Sequence, residues 1–142
     1  MSYITGLRGA ISDYVVQISD AELEIRGYTK GIASQETEAK LFDLIKTYDG
    51  IWCGGGNSSN ALAMIRTLDQ RQKIAFICNL SNDVVGEKTK QIFQDNTIDF
   101  LAPITHPDQL SAVSVILVTP DGERTIIYNR GVASHLSPEH VV

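Results

Sequence analysis

The sequence predicts an α/β fold built around a parallel sheet. A continuous apolar run, Ile74-Ala75-Phe76-Ile77, reads as a strand covered on both faces. It lies between two helical patterns, one carrying Ala61, Leu62, Met64, Ile65 and Leu68 on an apolar face and one from about Val84 to Asp95. A glycine-rich turn, Gly54-Gly55-Gly56-Asn57-Ser58-Ser59-Asn60-Ala61, joins a further short strand to the first of those helices, giving a βαβα rhythm.

Taken in order, Tyr3 to Leu7 opens as a short strand and Tyr14 to Ile18 follows as a second, broken by Ser19-Asp20, with Asp13 at their junction. Ala21 to Tyr28 is expected to form a short helix. Gly31 begins a loop to Ser34, the expected cap of a helix through Tyr48, whose dipole suits Glu36 and Glu38. Tyr48-Asp49-Gly50 is a turn and Ile51-Trp52-Cys53 a short buried strand, after which Ser58 or Ser59 is the expected cap of the next helix. The pattern changes after Pro103. Ala112 to Val118 and Arg124 to Tyr128 flank Thr119-Pro120-Asp121-Gly122-Glu123, whose proline and glycine supply the dihedrals of a β-hairpin. That hairpin either extends the main sheet or forms a separate small sheet with the strand at Tyr14 to Ile18.

Composition bounds the function. The chain has 142 residues, 43% hydrophobic and 20% charged, a size and balance suited to one globular domain. No apolar run approaches the ~20 residues that span a membrane. A net charge of −5 without a basic stripe argues against nucleic acid. The first residues lack a basic and then apolar leader pattern, so the expected compartment is cytoplasmic. Cys53 and Cys78 match neither a zinc pattern nor a disulfide framework and are expected as reduced core thiols. His106, His135 and His140 lack metal-ligand spacing and read as solvated.

A Gly-rich strand-to-helix turn either packs tightly or lets a backbone grip a hydroxylated or phosphorylated small molecule. The P-loop pattern fails here because no lysine lies between Lys46 and Lys73. The dinucleotide pattern is incomplete, since Ser59 stands at its third glycine.

The order of these pieces resembles the PfkB (ribokinase-like) family of sugar and nucleoside kinases over essentially the whole chain. Gly55-Gly56-Asn57-Ser58-Ser59-Asn60-Ala61-Leu62 is similar to the family's GG-x-x-x-N loop, and Leu80-Ser81-Asn82-Asp83-Val84-Val85-Gly86 to its vGdDxxG segment. Ala10 to Val16 resembles the region of the family's substrate aspartate, and Val118 to Thr125 its lid strands. Gly131-Val132-Ala133 and Leu136-Ser137-Pro138-Glu139 complete the run. Tyr28-Thr29-Lys30-Gly31 leans toward the adenosine-kinase-like and ribokinase-like branches. The sequence departs from the pattern at Arg8 and Gly9, where the family has glycine and asparagine, and at Ser81-Asn82, where it has Gly-Asp. The family's DTxGAGD-type segment, source of its catalytic base and anion hole, has no counterpart.

The resemblance implies a ribokinase-like fold, with a partial Rossmann-type parallel sheet and a small β lid from strands at about 13–18 and 111–128. Residues 1–142 then form the amino-terminal part of a kinase domain whose carboxy-terminal ATP-binding part is absent. It implies that Asp13 accepts hydrogen bonds from sugar hydroxyls, that Asn60 adds an amide contact, and that Gly55 and Gly56 let the backbone approach. Asp83 is expected to fix its loop, and Arg124 to be a solvated hairpin charge. The implied reaction is phosphorylation of a sugar or nucleoside hydroxyl by ATP with Mg²⁺, with little or no catalysis by this chain alone. The alternative is a catalytically inactive sugar- or nucleoside-binding or regulatory module. Homo-oligomers through the lid or an exposed sheet edge, or instability, are expected of an incomplete sheet.

Overall fold

The computed structural model describes residues 2–101 and 108–138. Pro103, His106, Glu139 and His140, which figure in the expectations above, lie outside the described residues. In chain order the elements begin β1 (Tyr3–Leu7), β2 (Ile11–Gln17), α1 (Asp20–Ile25), β3 (Ala33–Gln35), α2 (Glu38–Thr47) and β4 (Gly50–Gly55). They continue α3 (Asn57–Leu68), β5 (Lys73–Ile77), α4 (Val84–Asp95), β6 (Asp99–Leu101), β7 (Val113–Val118), β8 (Arg124–Asn129) and a 3₁₀ helix at Gly131–His135. The chain divides into two compact units, one of Met1–Ser12, Gly54–Ala112 and Arg130–Val142, the other of Asp13–Cys53 and Val113–Asn129.

The first unit holds a parallel sheet in the order β1-β5-β6, with Leu7 opposite Ile77 and Ile77 opposite Leu101. As the central strand, β5 buries Ile74, Ala75 and Phe76, which is why its sequence is unbroken apolar. Leu62 of α3 and Phe93 of α4 join this core, and the Phe76 and Phe93 rings meet edge to face at 5.3 Å. Helix α4 has the predicted bounds because Asp83 caps it, accepting from Gly86 N at 2.6 Å.

Two expectations need correction here. The α3 face is narrower than its sequence suggests: Leu62 is buried, but Met64 is 66% and Leu68 82% exposed. Neither Ser58 nor Ser59 caps α3; Gly56 is its N-cap, and Ser59 Oγ instead donates back to the carbonyls of Gly55 and, at 3.0 Å, Gly56.

The second unit is centred on a five-stranded sheet in the order β3-β8-β7-β2-β4. Strands β7 and β8 form the predicted hairpin, antiparallel with Val113 opposite Asn129 and Val118 opposite Arg124. Its neighbour is β2, so of the two placements left open the separate sheet is the one adopted. Strand β4 also pairs in this sheet and not beside β5. As its edge strand, β4 leaves Ile51 74% exposed, against the expectation of a buried strand. Ser34 does not cap a helix; it pairs opposite Ile127 in the short parallel strand β3, and Thr37 precedes α2. Helix α2 packs on β7 and β8 and buries Leu41 and Leu44. In the hairpin turn, Asp121 meets Lys30 Nζ at 2.7 Å, and the same lysine reaches Asp20 at 2.5 Å.

Candidate functional site

A concavity of the first unit is built where its parallel strands end. Arg8 and Gly9 follow β1, and Arg8 N donates to Ile77 O at 3.2 Å, so the chain leaves the sheet at the carboxyl ends of β1 and β5. Ligands of open α/β sheets bind at those strand ends. Here a cleft of about 350 Å³ is lined by Arg8, Gly9, Ile11 and Ala112, by Gly56 and Asn57 at the start of α3, and by Arg130, Ala133 and Ser134. The volume falls within the range of small-molecule sites, roughly 300–1,000 Å³.

Each wall has a local cause. Gly56 has φ +87°, a left-handed backbone that glycine adopts without a Cβ penalty, and this bends the chain from β4 into α3. With no side-chain cap, the first N–H groups of α3 lack intrahelical partners; the first such bond is Asn60 N to Gly56 O at 3.1 Å. Electronegative groups are favoured at such a helix start. Ala112 is held by Ser12 N, which donates to its carbonyl at 3.1 Å, while Ser12 Oγ bonds Thr89 Oγ1 of α4 at 2.7 Å in a buried contact. Ser111 N donates to Asp83 Oδ2 at 2.7 Å, and Val132 N to Leu110 O at 2.9 Å, which fixes the 3₁₀ helix beside the same segment. Gly9 has no room for a side chain: a Cβ there would stand 2.5 Å from that of Ala133.

Among the described residues, the ionisable ones that line the cleft are Arg8 and Arg130, both exposed.

The residues predicted from sequence belong to both units. Gly56 lines the cleft, and Gly55 is buried just before it at the end of β4. Asn60 lies on the first turn of α3, exposed, and lines a separate cavity of about 150 Å³ with Ile92, Phe93 and Asn96. Asp13 belongs to the second unit, on β2, where Ser114 Oγ of β7 donates to its Oδ1 and Cys53 Sγ donates to its carbonyl at 3.7 Å. Burial pushes the Asp13 carboxyl above its ordinary value, and the Ser114 hydrogen bond partly offsets this. Asp83 binds backbone at both oxygens, as expected of a loop-fixing residue. Arg124 is exposed on β8. Sequence reasoning passed over Arg130, Asn57 and Ser134 as cleft residues. The one signal available was Arg8, which stands where the resemblance calls for glycine.

A three-stranded parallel sheet with helices, a glycine turn from strand to helix and a second β sheet define a ribokinase-like α/β fold. The comparisons agree, and the chain is similar to PfkB-type nucleoside and sugar kinases. Over 89 residues it is 34% identical to the aminoimidazole riboside kinase of Salmonella typhimurium, a match to 61% of this chain and 27% of that protein. Its structure is similar to the adenosine kinase of Sinorhizobium meliloti, with TM-score 0.78 and 26% identity, over 97% of this chain and 42% of that one. It is also similar to a probable sugar kinase from Rhizobium etli CFN 42, with TM-score 0.77 and 23% identity, over 96% of this chain and 41% of that one. No family model matches the chain. The chain therefore spans less than half the length of these relatives. Among the described residues, no helix is long and apolar enough to cross a membrane.

Proposed function

We propose that this chain is the acceptor-binding, amino-terminal part of a PfkB-type kinase that transfers the γ-phosphoryl group of ATP to a hydroxyl of a sugar or nucleoside. The observation that carries this reading is the Gly55-Gly56 turn, which opens α3 on the rim of a cleft in a ribokinase-like fold. In this reading the backbone at Gly55 and Gly56 approaches the substrate. The Asn60 amide and the Asp13 carboxylate supply the donors and acceptors that vicinal hydroxyls need. Strands β2, β7 and β8 act as the lid. Phosphoryl transfer depends mostly on positioning and charge stabilisation, so holding the acceptor hydroxyl is a catalytic contribution in itself.

ATP with Mg²⁺ supplies the phosphoryl group. Among the described residues no group of three or more His, Cys, Asp or Glu side chains is placed to hold a metal ion, and the sequence has no DTxGAGD segment. The base, the anion hole and the nucleotide contacts accordingly fall, in this reading, to residues outside this chain, and the chain alone is inactive.

Intact mass of the native polypeptide, combined with transfer of labelled phosphate from ATP to ribose or adenosine, tests the reading. The expected result is a polypeptide of roughly 37 kDa, which is 15.6 kDa scaled by the 42% coverage, that turns over while the isolated chain binds without turnover. A native mass of 15.6 kDa with binding and no turnover would favour the binding-module alternative. Binding of neither ribose nor adenosine by the longer polypeptide would overturn both.

A further inference from the structure

We propose that Ser114 is a positioning residue of the acceptor site, its hydroxyl holding the Asp13 carboxylate in the orientation in which it accepts from the hydroxyls of the substrate. This rests on the reading of Asp13 as an acceptor-binding residue. Ser114 interrupts the otherwise apolar strand β7, Val113-Ser114-Val115-Ile116-Leu117-Val118, and is only 3% exposed. A hydroxyl buried there is destabilising unless it is hydrogen-bonded. Its partner comes from the neighbouring strand of the second unit: Ser114 Oγ donates to Oδ1 of Asp13 on β2, 101 residues away in sequence.

Strand alternation keeps this bond apart from the core. Val113, Val115 and Leu117 are fully buried on one face of β7, while Ser114, Ile116 and Val118 belong to the other, where Asp13 and Val15 of β2 stay half-buried. The strand on the far side of β2 adds a second tie, since Cys53 Sγ of β4 donates to the Asp13 carbonyl at 3.7 Å. Backbone and side chain of Asp13 are thus held by different neighbours. Among the described residues Ser114 is the donor to the carboxylate, which leaves Oδ2 for a ligand hydroxyl. A hydroxyl that donates to a carboxylate favours its charged form, the form that only accepts. Burial works the other way and pushes the Asp13 carboxyl up, so without the serine burial acts alone. The adjoining strands offer no substitute. Cys53 on β4 is a thiol itself raised by burial and by the Asp13 charge, and Tyr128 of β8 stands opposite Ser114, one strand beyond β7. No cation among the described residues acts on the Asp13 carboxyl.

The test is calorimetric binding of D-ribose and of adenosine to the native polypeptide from about pH 4 to 8, for the parent, Ser114→Ala, Ser114→Thr and Asp13→Asn. The parent should lose affinity as pH falls and the Asp13 carboxyl takes up its proton. Ser114→Ala should bind at least about threefold more weakly near pH 8 and lose its affinity at a higher pH than the parent, because its carboxyl protonates sooner. Ser114→Thr keeps the hydroxyl and should restore the parent's pH dependence. Asp13→Asn should bind weakly at every pH, and adding Ser114→Ala to it should change nothing further. Melting temperatures at each pH check that the variants are folded. If Ser114→Ala loses affinity at the same pH as the parent, or folded Ser114→Thr behaves as the alanine variant does, while Asp13→Asn is weakened, the proposal is overturned and Asp13 remains an acceptor-binding residue. Asp13→Asn binding both compounds as the parent does, or a parent that binds neither, overturns both.

Discussion

Replacing Asp83 by alanine is expected to lower stability by about 2–4 kcal/mol, and the structure shows where that figure comes from. One carboxylate oxygen accepts from Gly86 N at 2.6 Å and caps α4; the other accepts from Ser111 N at 2.7 Å and ties the helix start to the segment that carries Ala112 into β7. Loss of an N-cap costs ~1 kcal/mol. Ser111 is fully buried, so its N–H would be left without an acceptor where water cannot easily replace it, at a cost of about 1–3 kcal/mol. With a urea slope of ~2 kcal/mol per molar for a chain of this size, the midpoint should fall by roughly 1–2 M. Urea denaturation followed by far-ultraviolet circular dichroism reads this directly. Asp83→Asn keeps one acceptor oxygen and should lose about half as much. A fall of less than ~0.3 M for the alanine variant with an unchanged slope would refute the reasoning, because the two bonds would then carry no net stability.

Asp13→Asn should leave stability at pH 7 unchanged or raised. The folded carboxyl titrates above its ordinary 3.8 because burial disfavours the charge, so the folded state binds more protons than the unfolded one between that value and the raised one. Stability therefore falls as pH rises through that window, and the variant's advantage should vanish below it; melting temperatures of both proteins from pH 3 to 8 check this, and a variant less stable at pH 7 would contradict it. Asn79 is buried beyond β5 with neither amide atom hydrogen-bonded among the described residues, so Asn79→Leu, similar in volume, should raise the urea midpoint, and a loss above ~1 kcal/mol would count against this. Burial pushes the Cys78 thiol up to about 12, whereas Cys53 is half-buried and raised less. A disulfide reagent at pH 8 should label Cys53 slowly and Cys78 only after unfolding; native labelling of both would show that the core cluster around Cys78 opens readily.

The unbroken run in β5 and the capped, periodic pattern of α4 stated their own burial and bounds, because those properties depend on spacings within one segment. The hairpin was legible for the same reason, from its Pro-Asp-Gly turn. Strand β3 was invisible: three residues with no pattern become a strand only because β8 offers them an edge. Ile51, Met64 and Leu68 look like core residues but lie exposed, since a sequence states which side chains are apolar and not which face a neighbour covers. At the site, the glycines and the bend they allow were readable from composition alone. That Arg8 and Arg130 line one cleft was not, because they are brought there by β1 ending beside β5 and by the 3₁₀ helix bonding back to Leu110.

By itself, then, the sequence determined what depends on neighbours along the chain: the α/β class, the strand-to-helix glycine turn, the hairpin, and the likeness to PfkB-type kinases. The tertiary structure alone decided the sheet to which β4 belongs, the surfaces left uncovered, and the charge that lines the cleft. Those depend on contacts between residues far apart in sequence, and no local periodicity encodes which long-range pairing wins.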